Sequence, residues 1–361
     1  MPMTHRERLE TVFAGETPDL TPVLGGWIAN PAAICAFSGA SVDEYWADPR
    51  GVSLRAYHLL DTDGLIDLFV PKHRNDFRCV DHEDYMHGAA RMSIEQALTY
   101  IEALPSAAET ESSFDLEAEY ETFSARLRQN QALCDALGAP PMVWMPAQWS
   151  AEGRVTWYSE FGYEGTFEIV GAYPEHARKM VEVGGARGYN NCRLVARAVR
   201  EGLYPHAMLF GEDICSQRGP VISPRFLERH YAPQLARNIA LLQEAGCRPV
   251  WHSDGDVRPL VDMLIACGVQ GFQGFQPECG MTLEYITSKR TREGSPLIIF
   301  GPLAVTTEMP FLSADEIHRR ARAAIEHCRG RASLVMLTGN TINPDIPLDN
   351  IRAMYRAVRE R

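Results

Sequence analysis

The feature that most constrains this chain is an alternation. Short apolar runs, each breaking into glycine or polar residues, are separated by longer amphipathic stretches. Eight runs can be read: TPVLGGW (21–27), DGLIDLFV (63–70), PPMVWMPAQ (140–148), PHAMLFGED (205–213), CRPVWHSD (247–254), VQGFQGFQPE (269–278), PLIIFGPLA (296–304) and ASLVMLTGN (332–340). Helical patterns with recognisable ends lie between most of them. One covers 174–202, and another, 223–246, opens on Ser-Pro and stops at Gly246. Residues 256–268 and 313–330 each open on a residue that can accept the first unpaired helical N–H groups, and each closes on glycine. Residues 347–361 form a terminal helix. Strands that alternate with helices pair in parallel, because each helical crossover returns the chain in the same direction. Eight such units predict an α/β fold of the (β/α)8 TIM-barrel type, read as a single domain over 1–361. An open wound sheet is the alternative. The surplus reads as insertions: a hairpin or lid over 72–100 after the second strand, and an acidic then helical stretch over 106–138.

Composition agrees with a large packed core. The 361 residues are 45% hydrophobic and 23% charged. A net charge of -12 argues against nucleic acid or an acidic membrane as partner, since both need clustered Lys and Arg. The first residues contain no apolar stretch of signal-peptide length, and no window approaches a membrane span. The nine cysteines include no CxxC pair, which suits a reduced, cytoplasmic protein better than a disulfide scaffold.

In barrels of this kind, chemistry sits at the C-terminal ends of the strands. Those ends are Trp27 and Asn30, Lys72 and His73, Gln148 and Trp149, Glu212 and Asp213, His252 and Asp254, Gln276 with Glu278 and Cys279, Pro302 and Thr306, and Thr338 and Asn340. Ionisable groups gather on the fourth, fifth and sixth strands. His252 and Asp254, two residues apart, share one face of a strand end. Imidazole, carboxylate and thiolate are zinc ligands, so His252, Asp254, Glu278 and Cys279 form a candidate metal set. Plainer readings stand beside this one. His252 can be a satisfied buried histidine, Cys279 a packing residue, and Asp254 or Asp256 the cap of the helix near Val257.

Glu212 and Asp213 resemble a carboxylate pair in which one member holds a proton and serves as general acid, together with His252. The alternative is that Glu212 faces solvent and only one of the two enters the pocket. Trp27, Trp149, Trp157, Tyr158 and Trp251 either wall a substrate or belong to the core. Arg218 is placed to anchor a substrate carboxylate, and Asn340 to contact substrate at the eighth strand end. GxGxxG, P-loop, HExxH and GxSxG motifs are absent.

Four stretches carry a family resemblance: RERLETVFAGETPDLTPV (6–23), GEDICSQRGPVISPRFLERHYAPQLARNIALLQEAG (211–246), HSDGDVRPLVDMLIACGVQGFQGFQPECGM (252–281) and IPLDNIRAMYRAVRE (346–360). They resemble the uroporphyrinogen decarboxylase superfamily, which includes corrinoid-linked methyltransferases and is similar to cobalamin-independent methionine synthase. The resemblance implies a (β/α)8 barrel. True uroporphyrinogen decarboxylases hold their polycarboxylate substrate with an arginine-rich N-terminal motif, whereas residues 22–37 here contain no arginine. The opening is instead similar to the methyltransferase branch. That branch binds zinc through a His-x-Cys motif after the fifth strand and a further Cys at the eighth. Carried over, the histidine is His252, the first cysteine position holds Asp254, and the eighth-strand position falls in Thr338-Gly339-Asn340 with no thiol. A glutamate after the sixth strand matches Glu278 or its neighbour. An oxygen-rich ligand set makes a harder Lewis acid, better matched to an ether or hydroxyl oxygen than to a thiol.

The expected function is methyl transfer from a small methoxylated or methylated compound to a corrinoid. With no DxHxxG motif in this chain, the corrinoid must ride on a partner protein. A metal-independent decarboxylase or lyase acting on a small carboxylate is the alternative, with Arg218 binding the acid. A non-catalytic ligand-binding barrel is a third reading, and a homodimer is a further expectation. Six ionisable groups at three adjacent strand ends argue against the non-catalytic reading.

Overall fold

The computed structural model describes residues 2–66, 68, 70, 92–136 and 153–360. Nine strands are seen among them: β1 (Leu24–Gly25), β2 (Gly64–Leu65), β3 (Ala207–Gly211), β4 (Cys215–Ser216), β5 (Gly219–Pro220), β6 (Arg248–His252), β7 (Gly271–Gln273), β8 (Ile298–Leu303) and β9 (Ser333–Thr338). Five form one parallel sheet in the order β3-β6-β7-β8-β9, and β1 pairs in parallel with β2. A parallel bridge from Val23 to Met336 brings β1 against β9. Seven strands therefore run side by side as β2-β1-β9-β8-β7-β6-β3. The expected third strand (140–148) and most of the expected lid (72–91) lie outside the described residues.

These strands are short, apolar and buried on both faces, as parallel strands covered by helices must be. Val250 and Trp251 of β6 are fully buried, and so are Ile298, Ile299 and Phe300 of β8. The helices fall where the end signals put them. One runs from Pro174 to Arg200, and Ala314–Cys328 starts on Ser313, whose hydroxyl accepts the Glu316 N–H while Glu316 bonds back to Ser313. The 223–246 pattern is interrupted: a π turn at Leu227–Tyr231 precedes the helix Ala232–Glu244. Pro233 has no N–H to give the regular ladder, which accounts for the break at that point. The 106–136 stretch forms two helices, Ala107–Ser112 and Leu116–Ala136. It is tied to the helix 174–200 by an Asn190 amide bond to the Thr110 carbonyl (3.2 Å) and by an Arg197–Glu117 ion pair.

Two features mark opposite ends of these strands. After the C-terminal end of β3, the antiparallel pair β4–β5 makes a small hairpin ahead of the next helix, with Arg218 in its turn. At the other end, Asp63 precedes β2 and is completely buried among charged partners. No helix among the described residues is long and apolar enough to cross a membrane.

Candidate metal centre

The site grows from the register of two strands. In the β3–β6 ladder Gly211 stands opposite His252, so the residues that follow each, Glu212-Asp213 and Ser253-Asp254, leave the sheet together. The backbones stay joined there: Glu212 N–H donates to the His252 carbonyl (3.1 Å), and Ile214 N–H to the Ser253 hydroxyl (3.3 Å). The result is a group of three ligand-type side chains, Asp213, His252 and Asp254, whose donor atoms all lie within 4.8 Å of one another. His252 Nε2 is 3.5 Å from Asp213 Oδ1, and the Asp254 N–H donates to that same oxygen at 3.1 Å.

Neutral side chains hold two of the three. Asn340, just past β9, donates from Nδ2 to Asp254 Oδ2 at 2.7 Å. Gln273, the last residue of β7, contacts His252 Nδ1 through Oε1, and its amide nitrogen donates to the carbonyls of Thr338 (3.0 Å) and Gly339 (2.8 Å). The turn itself is pinned where Gly255 N–H donates to Gln276 Oε1 (2.6 Å). Gly255 has φ +86°, and a Cβ there would come within 2.5 Å of the Ser216 carbonyl, so only glycine lets the hairpin close over the turn.

The electrostatics describe a site that attracts a cation. Burial disfavours a charged imidazole, but the bond to Asp213 and the charges of Asp213 and Asp254 outweigh it and raise the His252 pKa to about 9. Two carboxylates therefore recruit a proton onto the one imidazole between them. A divalent ion would replace that proton with a stronger charge. One imidazole nitrogen and two carboxylates are an ordinary donor set for such an ion, and the residues present fit a metal.

The remaining sequence expectations separate into those the site uses and those it does not. Asp213, a candidate acid in the sequence, stands instead within the ligand group. Glu212 does not pair with it: its carboxylate accepts the N–H groups of Val155 and Thr156, each at 2.7 Å, and the Thr156 hydroxyl. Burial raises its pKa and those bonds work against the rise, which describes a structural clamp on the 155–156 segment. Glu278 is exposed and engaged by the hydroxyls of Thr306 and Thr307. Cys279 is buried against Gln276, and burial, reinforced by Glu278, Asp256 and Asp254, raises its pKa and keeps it a thiol. Neither enters the group of three. The second carboxylate of that group, Asp213, is on the loop after β3.

Asn340 holds Asp254 through its amide. Trp27 and Trp251 are 4% and 0% exposed and pack in the main hydrophobic core. Trp157 is likewise buried, in a second cluster with Phe161 and Met180, while Tyr158 donates from its hydroxyl to the Asp213 carbonyl (3.0 Å). Arg218 lies exposed at the hairpin turn, and Trp149 lies outside the described residues. Asp256 accepts the Arg258 N–H (3.2 Å) and its guanidinium, so it caps the helix Arg258–Cys267 one residue ahead of the boundary residue Val257. Sequence reasoning missed Gln273. Its signal was an amide inside the apolar run VQGFQGF, where a buried polar group requires partners.

Comparison with known proteins bears on the fold and the family. The family model for uroporphyrinogen decarboxylase (URO-D) matches residues 208–361, the portion from β3 onward that carries all three ligand-type residues. The match agrees with the superfamily resemblance carried by the sequence. No curated protein matches the chain. Among solved structures, a methyltransferase from Methanosarcina mazei is similar over 99% of this chain and 98% of its own, with a TM-score of 0.58 at 14% identity. At that identity the likeness is one of fold.

Proposed function

We propose that this chain is a methyltransferase that takes a methyl group from a small methoxylated or methylated compound and delivers it to a corrinoid held by a separate protein. The observation that carries the reading is the convergence of Asp213, His252 and Asp254 at the C-terminal ends of β3 and β6. The URO-D match and the methyltransferase of similar fold support it. In the same reading the seven parallel strands belong to a closed (β/α)8 barrel with an insertion after the second strand, and the eighth unit is the one expected at 140–148.

Asp213, His252 and Asp254 would hold a divalent metal, zinc in the first instance. Bound there, the metal supplies Lewis-acid polarisation of a substrate oxygen. The chain's own residues provide the rest. Asn340 and Gln273 orient Asp254 and His252 before any ligand arrives, which removes the entropic cost of arranging them later. Asp213, 46% exposed, is the member that faces the solvent side, where substrate must enter. Asp254 and His252 are the more buried floor.

A second reading rests on the His252–Asp213 contact itself, which is a proton-transfer pair without any metal. It gives a decarboxylase or lyase in which His252 protonates the carbanion left by CO2. The two readings part on one experiment. Activity of the purified enzyme is assayed with methoxylated compounds and a corrinoid protein, before and after exhaustive chelation. The methyltransferase reading expects activity lost on chelation and restored by zinc; chelator-resistant turnover of a carboxylate substrate contradicts it.

A further inference from the structure

We infer that Gln273 is a positioning residue of the candidate metal centre, holding His252 as the tautomer protonated on Nδ1 so that Nε2 is the ligand atom. This rests on the reading of Asp213, His252 and Asp254 as a metal site and names what orients it. Gln273 is 3% exposed and stands opposite His252 in the β6–β7 ladder. Its amide nitrogen meets two backbone carbonyls, Thr338 O at 3.0 Å and Gly339 O at 2.8 Å. Carbonyl oxygens only accept, so the NH2 group must lie on that side and the amide oxygen on the side of His252. An amide oxygen facing Nδ1 needs a proton there. With Nδ1–H held by Gln273, Nε2, 3.5 Å from Asp213 Oδ1, is the nitrogen left to exchange its proton for a metal.

The close approach depends on the next residue. Gly274 has φ +95°, and a Cβ there would lie 2.5 Å from the Ser253 carbonyl and 3.0 Å from His252 Nδ1. The anchor of this relay is the end of β9. Thr338 and Gly339 hold Gln273, and Asn340 in the same turn holds Asp254. The turn at 338–340 thus orients two of the three ligand-type side chains while contributing none itself. An outer partner that fixes the ring of a ligating histidine typically changes metal affinity about 10–100-fold when removed.

The test is 15N spectroscopy of the full-length protein labelled at histidine, with His252 assigned by its loss in His252→Ala. On addition of zinc, Nε2 is expected to shift while Nδ1–H persists. Gln273→Met, of similar size but without the amide, is expected to give mixed tautomers and a zinc affinity about 10–100-fold lower, read by chelator competition. A zinc-loaded wild type that keeps Nε2–H, with the metal shift on Nδ1, overturns the inference, as does a Gln273→Met protein with unchanged tautomer and affinity. If Gln273→Met fails to fold, the wild-type spectrum decides alone. A wild-type spectrum showing Nδ1–H but no response to zinc overturns the metal reading and leaves the tautomer assignment standing.

Discussion

Two charged clusters sit at opposite ends of the parallel strands, and they are built on different rules. At the N-terminal end, Asp63 is completely buried and meets Arg8 (2.5 Å), Arg359 (2.8 Å), His5 (2.9 Å) and the Val23 N–H (2.9 Å). Arg8 also binds Asp19 at 2.8 Å. Cations and carboxylates alternate, and the cluster ties the helix His5–Phe13, the start of β2 and Arg359 near the end of the chain together. At the C-terminal end, two carboxylates share one imidazole, one of them is open to solvent, and the supporting groups are neutral amides. The first cluster is closed on itself. In the second, two carboxylates face a single imidazole. That difference is the one expected between the stability face and the chemical face of a barrel-type sheet.

Breaking the first cluster should have the largest effect. Removing one partner of a buried network strands the others, so Asp63→Ala is expected to cost about 3–5 kcal/mol in urea unfolding. The same cluster sets an acid limit. Burial would raise the Asp63 pKa, but the bonds from His5 and Arg359 overcome it and hold it below its ordinary value. A carboxylate depressed in the folded state stabilises above its unfolded pKa of about 3.9 and loses that contribution as pH falls through the folded value. Unfolding free energy should therefore drop below about pH 4, and Asp63→Asn should flatten that drop.

The second cluster should respond in ligand binding instead. His252→Ala is expected to weaken zinc binding by about 100-fold or more, equivalent to about 2.7 kcal/mol, with a smaller change in stability than Asp63→Ala. Equal destabilisation by the two substitutions would erase the distinction between the clusters. Asn340→Ala removes a brace rather than a ligand, so about a tenfold loss of zinc affinity is expected by calorimetry. The smallest effect belongs to Arg218. Exposed at the hairpin turn, it should change stability by less than about 0.5 kcal/mol and leave zinc affinity unaltered when replaced by alanine. A large loss of turnover in Arg218→Ala would favour the carboxylate-substrate reading.

Much of the parallel sheet is legible in the sequence because its cause is local. Apolar runs such as PLIIFGPLA and ASLVMLTGN, with capped helices between them, leave few alternatives to parallel strands. His252 and Asp254 are legible for a similar reason, since a strand end and a two-residue spacing put them on one side. What is not legible depends on register between strands. Nothing local to Glu212-Asp213 says that the first turns back to clamp Thr156 while the second joins His252. Glu278 and Cys279 are expected at a strand end but lie beyond the end of β7, in a 3-10 turn at Pro277–Cys279, and their side chains meet Thr306 and Gln276. Trp27 and Trp251 satisfy a pattern for pocket walls, but large aromatic rings beside a sheet gain more by burial in the core. Asn340 shows the clearest exchange. The resemblance places a thiolate within Thr338-Gly339-Asn340; this chain has no thiol there, and the Asn340 amide binds the Asp254 carboxylate.

The proposed metal centre of Asp213, His252 and Asp254 has no thiolate ligand, and metal loading distinguishes it from a site that depends on Cys279. Purified protein is loaded with zinc, dialysed and measured for bound metal per chain, in parallel with Asp213→Ala, His252→Ala and Cys279→Ala. About one zinc per chain is expected in the wild type and in Cys279→Ala, and none in the other two. A wild-type protein that retains no zinc, or a site lost with Cys279 and kept without Asp213, would contradict the claim.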